Sequence, residues 1–71
     1  MIATNEKIRI LLKRKEMTIT ELAEKTKTTR QNMTNKLNRN NFSENDLKDI
    51  AKALECDLIL EFKDRKSNDI L

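Results

Sequence analysis

Apolar residues recur every three or four positions from residue 8 to residue 54, which is the spacing of helices that bury one face. The first stripe is Ile8, Leu11 and Leu12. It predicts a helix that begins after Thr4 or Asn5 and runs to about Lys15. The basic run KRK at 13–15 would complement the macrodipole at the C-terminus of such a helix, and this interpretation is favoured over a contact with nucleic acid.

A second helix is predicted by the segment Thr18-Ile19-Thr20-Glu21, which has the pattern of a capping box. In that arrangement the hydroxyl of Thr18 accepts from the amide of Glu21, and the Glu21 carboxylate accepts from the amide of Thr18. The stripe continues through Leu22 and Ala23, and the small Ala23 would let another helix approach closely. The segment TKT at 26–28 ends the pattern.

The stretch TTRQNMTNKL at 28–37 predicts a third helix with an unusual outer face. Thr29 can cap a helix that runs from Arg30 to about Asn38. Met33 and Leu37 lie four residues apart and would share the inner face. The outer face carries amides instead of Lys/Glu pairs, namely Gln31, Asn35 and Asn38. Phe42 would anchor the loop that follows.

A second capping box, Ser43-Glu44-Asn45-Asp46, predicts the start of a fourth helix. Its stripe is Leu47, Ile50, Ala51 and Leu54. After Cys56 the period changes to two, which predicts a strand over about residues 57–63. The last residues, 64–71, read as a frayed tail.

The chain has 71 residues, enough for one small domain spanning 1–71, and a net charge of +3 with a pI of about 9.2. Charge is segregated along it. No Asp or Glu occurs from Lys25 through Ser43, whereas five basic residues do: Lys25, Lys27, Arg30, Lys36 and Arg39. From Glu44 to Asp57 the sign reverses. This segregation favours a basic contact surface over a solvated helix of mixed charge.

Composition excludes several classes of protein. One cysteine, Cys56, and no histidine leave no internal disulfide and no ordinary zinc site, and Cys56 is expected in the core. No glycine-rich phosphate loop and no paired nucleophile and base is present, so we expect neither an enzyme, a cofactor nor a small-molecule effector. The N-terminus lacks a signal peptide and no apolar run could span a membrane, so a cytoplasmic location is expected.

The segments MTITELAEKTKTTRQNMTNKL at 17–37 and FSENDLKDIAKAL at 42–54 resemble the phage repressor and Cro family, the XRE-type helix-turn-helix regulators. The resemblance covers about residues 6–58. It implies a mostly α, four-helix repressor-like domain with its helix-turn-helix at about 18–38, to which this chain adds one C-terminal β-strand. In such a motif the second helix enters the major groove, which is about 12 Å wide, and its outer amides and arginine meet base edges.

The resemblance implies a DNA-binding role for particular residues. Arg30 and Gln31 would be the first two readers of the groove, and Asn35 the third, with Thr34 beside them. Thr29 would also donate to a phosphate at the helix N-terminus. The whole predicted set is Thr28, Thr29, Arg30, Gln31, Thr34, Asn35, Lys36, Asn38, Arg39 and Asn40. An amide-rich solvated face is the alternative, and the charge segregation favours recognition.

Three positions that usually carry glycine in the family hold other residues here: Glu16, Lys27 and Glu55. If these residues adopt a positive φ, each costs roughly 1 kcal/mol relative to glycine.

Two further departures concern side chains at the motif. Ile19 stands where many relatives place a DNA-contacting Gln, but its spacing makes it a core residue. Lys36 stands where the family usually has an apolar residue. Leu37 would take over that packing role, which would rotate the third helix slightly.

A lone terminal strand leaves an unpaired edge, and two partners are open to it. One is residues 1–4 of the same chain. The other, which we favour, is the same strand of a second molecule about a two-fold axis. The predicted dimer interface is Leu58, Ile59, Leu60, Glu61 and Phe62, in which Leu58, Leu60 and Phe62 would cover the cores.

These expectations combine into a function. The chain would be a Cro-like repressor, a homodimer that acts by occupying a palindromic operator in double-stranded DNA. The alternative from a different class is a protein-binding module, such as an antitoxin, whose tail DRKSNDIL at 64–71 docks a partner.

Overall fold

Four helices follow one another through residues 4–53 of the computed structural model, which describes residues 2–71. Their bounds are α1 Thr4–Arg14, α2 Ile19–Lys25, α3 Arg30–Arg39 and α4 Glu44–Ala53. The predicted mostly helical class and the order of the helices are confirmed, and the ends agree with the predicted ones to within a residue or two.

Side-chain caps begin α2 and α4 where the sequence predicted them. The Thr18 hydroxyl accepts from the amide of Glu21 at 3.1 Å, and the Glu21 carboxylate accepts from the amide of Thr18 at 3.3 Å. Ser43 and Asp46 form the same reciprocal pair at 3.0 and 2.9 Å. Each box satisfies two amides that the first turn of a helix leaves without a partner.

The core forms where the four helices meet, and each helix contributes two residues at or just after its apolar stripe. Its fully buried members are Ile8, Leu12, Leu22, Ala23, Met33, Leu37, Ile50 and Leu54. Ile19, Phe42 and Cys56 are half-buried and pack against this cluster. The prediction of a core position for Ile19 is therefore confirmed, and that of an anchor for Phe42 also holds.

The connections between helices use left-handed backbone without glycine. Glu16, Lys27 and Glu55 have φ of 53°, 59° and 54°, and they are the three positions at which the resembled family usually has glycine. Asn40, at the end of α3, joins them with φ 51°. A residue with a Cβ is strained in this region, so each of the first three costs roughly 1 kcal/mol relative to glycine.

The predicted strand over residues 57–63 is not confirmed. Among residues 2–71 the β-pairing is a single antiparallel bridge between Lys63 and Ile70. Residues 64–71 do not fray but turn back, and Phe62 and Leu71 exchange backbone hydrogen bonds of 2.8 and 3.2 Å. A strand requires a ladder of such bonds with a neighbour, and the returning segment reaches only residues 62–64. Residues 2–4 form no such pairing with it.

The apolar residues of this region do not cover the core in the single chain. Leu58, Leu60 and Phe62 are 38%, 50% and 79% exposed, and the expectation that they cover the cores in a dimer stays a prediction. Leu58 and Leu60 instead border a groove of about 370 Å³ between α1 and α4, whose walls include Leu11 and Leu47.

Replacement of Lys27 by glycine should stabilise the domain by up to about 1 kcal/mol, because it relieves the strain at φ 59°. The free energy of unfolding in urea measures this change. Lys7→Gly is the matched control, since Lys7 is an exposed residue in the interior of α1 and loses the same charge. There glycine should destabilise by about 1 kcal/mol. Equal effects at both sites would contradict the assignment of strain to Lys27.

Candidate nucleic-acid interface

The helix α3 turns its two apolar residues inward and its amides outward. Met33 and Leu37 are 2% and 0% exposed, whereas Arg30, Gln31 and Asn35 are exposed. None of the side-chain hydrogen bonds among residues 2–71 involves those three exposed residues. Their donors and acceptors are therefore available to an external ligand, as base reading requires.

The N-terminus of α3 is capped and carries no acidic residue in its first turn. The hydroxyl of Thr29 accepts from the amide of Asn32 at 3.1 Å and keeps its own proton free to donate. The side-chain amide of Asn32 turns back to the Thr28 hydroxyl at 3.4 Å. In α1, α2 and α4 the first turn contains an acidic residue. The positive end of the α3 dipole thus remains open to an anion.

The C-terminus of α3 is joined to the N-terminus of α1 by reciprocal capping. The side-chain carbonyl of Asn40 accepts from the backbone amide of Asn5 at 2.9 Å. The side-chain amide of Asn5 donates to the backbone carbonyl of Leu37 at 2.8 Å. Ala3, the N-cap of α1, offers no side-chain acceptor, so Asn40 supplies the missing cap. Each helix end satisfies the unpaired groups of the other.

A second contact at the same end orients Asn38. Arg9 of α1 donates through its guanidinium to the Asn38 side-chain oxygen at 3.0 Å. In both Asn38 and Asn40 the amide oxygen is therefore used within the protein, while the NH₂ group remains. Phosphate oxygens only accept hydrogen bonds, so NH₂ groups are the part of these amides that a DNA backbone requires.

Lys36 lies on the flank of α3 that faces the start of α4. Its ammonium forms an ion pair with Asp46 at 2.8 Å, and the two side chains are 35% and 25% exposed. The hydrogen bond from Lys36 and that from the Ser43 amide lower the pKa of the Asp46 carboxyl, although desolvation by burial opposes the shift. The carboxylate stays ionised and Lys36 already has a partner for its charge.

The predicted DNA-binding residues do not all occupy the same surface. Thr34 is half-buried, and its hydroxyl oxygen is out of contact with solvent and without a hydrogen-bond partner. Arg39 is exposed in the last turn of α3. The roles predicted for Thr34 and Lys36 remain predictions, and their side chains lie away from the outward face of amides.

The sequence did not indicate that three residues support the candidate interface: Asn5, Arg9 and Asp46. The Asn5 and Arg9 contacts join residues 35 and 29 positions apart. No local pattern marks them. Asp46 was identified only as a cap, and the unusual Lys36 at a normally apolar position was the one signal of a polar partner nearby.

The helices α2 and α3 are short and are joined by a tight turn through Lys27. The second of them presents a polar face to solvent. This arrangement defines a helix-turn-helix DNA-binding domain. Comparison with known families matches residues 7–64 to the Cro/C1-type HTH DNA-binding domain. The chain belongs to that family. Neither curated proteins nor solved structures provide a match.

Within residues 2–71, none of the helices has the length and apolarity needed to cross a bilayer. No group of three or more metal-ligating side chains comes together in the same part of the chain.

The lowered pKa of Asp46 predicts a pH-dependent contribution to stability. A carboxyl whose folded pKa lies below its unfolded value of about 3.8 stabilises the fold above that value. The contribution is lost as pH falls through the folded pKa. The free energy of unfolding should therefore be larger for the wild type than for Asp46→Asn at pH 7. This difference in free energy should shrink below about pH 4. Urea denaturation at pH 7 and pH 3 measures it. An equal difference at both pH values would show that the charge of Asp46 contributes nothing.

Proposed function

We propose that this protein is a sequence-specific, double-stranded DNA-binding regulator that acts as a Cro-like repressor by occupying an operator. The observation that carries the proposal is the outer face of α3. It presents an arginine and two amides that have no hydrogen-bond partner among residues 2–71. Water solvates such a face in the free domain, and a base edge in the major groove can pair with the same donors and acceptors.

The readers in this proposal are Arg30, Gln31 and Asn35. Arginine can bond in bidentate fashion to guanine, and the two amides to adenine. Gln31 and Asn35 lie one turn apart on the face opposite the buried Met33, so both can meet neighbouring base pairs when α3 lies in the groove.

The phosphate contacts in this proposal lie at the two ends of α3. Thr28 and Thr29 stand at the N-terminal end, and Asn38, Arg39 and Asn40 at the C-terminal end. The ends of a ten-residue helix are about 15 Å apart, so the two sets can hold the backbone on either side of the bases being read. The absence of acidic residues from Lys25 to Ser43 supports this placement.

We further propose a homodimer formed by the C-terminal segment, residues 57–71. Six of its large apolar side chains are exposed: Leu58, Ile59, Leu60, Phe62, Ile70 and Leu71. The backbone of Phe62 bonds to Leu71, and that of Asp64 bonds to Asp69 and Asn68. Because backbone groups alternate between edges, those of Lys63 face away from the returning segment and are available to a second chain.

The residues around Leu60 would match well if two copies of this segment paired in antiparallel fashion about a two-fold axis at Leu60, which supports the homodimer. This pairing would set Leu58 opposite Phe62, Ile59 opposite Glu61, and Asp57 opposite Lys63. The first pair is apolar and the last joins opposite charges, both of which stabilise neighbouring strands. To read a palindromic operator, such a two-fold dimer must hold its two copies of α3 about 34 Å apart, which is the spacing of half-sites one helical turn apart.

The alternative class is a protein-binding module such as an antitoxin, which would use the same exposed apolar side chains for a different chain. Selection of bound sequences from random duplexes separates the two. A repressor dimer should yield one palindromic sequence with half-sites about one helical turn apart. Recovery of unrelated sequences only would contradict the proposed operator reading.

Replacement of Gln31 or Arg30 by alanine should weaken binding to the selected duplex by roughly 1–3 kcal/mol and hardly change binding to random DNA. Asn32→Ala is the matched control, because the Asn32 amide lies on the same helix but turns back to Thr28. It should bind both duplexes nearly as wild type does. Titration of labelled duplexes gives the affinities. Equal losses on both duplexes would mean that the two side chains position the helix without specifying sequence.

Replacement of Ile59 by glutamate should convert the dimer into a monomer at micromolar concentration. It places a like charge opposite Glu61 of the second copy in the proposed pairing, which destabilises neighbouring strands. The core stays intact, since Ile59 is 75% exposed. Operator affinity should fall by about two orders of magnitude, because the second half-site contact is no longer intramolecular. Affinity for an isolated half-site should stay constant.

The matched control is Ile10→Glu, the same change at an exposed apolar residue of α1. Its sedimentation and operator affinity should remain those of the wild type. A wild-type protein that sediments as a monomer well above its operator Kd would overturn the proposed dimer.

A further inference from the structure

One carboxylate joins the outward helix to the element that follows it. Asp46 receives the Lys36 ammonium on one oxygen at 2.8 Å and the Ser43 amide on the other at 2.9 Å. Among residues 2–71, the hydrogen bond from Lys36 to Asp46 is the one side-chain hydrogen bond that links α3 to α4. The Asp46 carboxylate is thereby fixed to the start of α4 and holds Lys36 from there.

The position of Lys36 on α3 gives that link a mechanical effect. The buried stripe of Met33 and Leu37 packs α3 against α2 and the core. Contacts beside this stripe are the ones that resist roll of the helix about its own axis. On one flank Arg9 supplies such a contact through its hydrogen bond to Asn38, and Lys36 lies on the opposite flank. Lys36 lies about 100° around the helix from Leu37. A fixed contact that far off the stripe resists the roll.

The roll of α3 matters more to base reading than to phosphate contact. Side-chain ends lie about 5–6 Å from a helix axis, so a roll of about 20° moves them by about 2 Å. Gln31 and Asn35 would then lose the geometry that a bidentate hydrogen bond requires. Phosphate contacts come from the helix ends and from long or mobile side chains, which can follow the displacement.

We propose that Asp46 is a positioning residue for base recognition: through Lys36 it fixes the roll of α3, and so sets sequence discrimination without touching DNA. The inference rests on the proposed function. It also removes Lys36 from the phosphate-contacting set, because its ammonium serves Asp46. If DNA phosphate instead draws Lys36 away, Asp46 is a competitor of the backbone, and the two roles predict opposite results.

Asp46→Asn is the central variant, since asparagine keeps the shape and can still accept from the Ser43 amide but loses the charge that holds Lys36. The full-length chain is titrated with its selected duplex and with a random duplex at several salt concentrations. The ratio of the two affinities should fall about tenfold. Random-duplex affinity and the slope of log K against log salt should remain those of the wild type.

Asp49→Asn supplies the matched control, as it removes the same charge from an exposed position on the same helix. Asp49→Asn should leave the ratio of selected-duplex affinity to random-duplex affinity unchanged. Lys36→Met removes the other half of the pair, and should lower the ratio as Asp46→Asn does while the salt slope stays constant. Circular dichroism at the assay temperature confirms that each variant is helical.

Three results would overturn the inference. One is a discrimination ratio that survives Asp46→Asn. Another is a slope of log K against log salt that becomes steeper by about one unit in Asp46→Asn. That result would mean that Lys36, once released, binds phosphate. The third is a slope that flattens by about one unit in Lys36→Met. A wild-type protein that binds every duplex equally would instead overturn the proposed function itself.

Discussion

Burial of Met33 and Leu37 against α2 and the core is the interaction on which the interface depends. A ten-residue helix that is polar on most of its surface is marginal by itself in water. These two side chains supply the tertiary attachment, each with roughly 1.5–3 kcal/mol of burial. Because the attachment needs only one stripe of α3, Arg30, Gln31 and Asn35 have no structural duty and their chemistry is available for recognition.

Two amides at the C-terminal end of α3 differ from the proposed readers because they are already bonded within the protein. Asn40 caps α1 with its oxygen, and Asn38 accepts from Arg9 with its own. Each keeps an NH₂ group that can donate outward. If a phosphate binds there as proposed, this fixed geometry lowers the entropy lost on binding.

How much of this could be predicted depends on the range of each interaction. The caps at Thr18 and Ser43 and the apolar stripes are local, and the sequence predicted them correctly. The positive φ of Lys27 was raised only as a possibility, from the glycine that the family usually has at this position. The pairing of Asn5 with Asn40 and of Lys36 with Asp46 depends on which helix ends meet in space. A C-terminal strand depends on a neighbour that no pattern within its own residues supplies, and for that reason the prediction of residues 57–63 was not confirmed.

The C-terminal segment links stability to the proposed mode of regulation. A single bridge between Lys63 and Ile70 holds its two arms together, and an isolated two-stranded hairpin of this kind is marginal in water. Three strained helix ends, at Glu16, Lys27 and Glu55, reduce the stability of the small domain further. If a second copy covers Phe62 and its apolar neighbours as proposed, dimerisation stabilises each folded chain by mass action. Folding, pairing and the proposed operator occupancy would then rise together with the concentration of the protein.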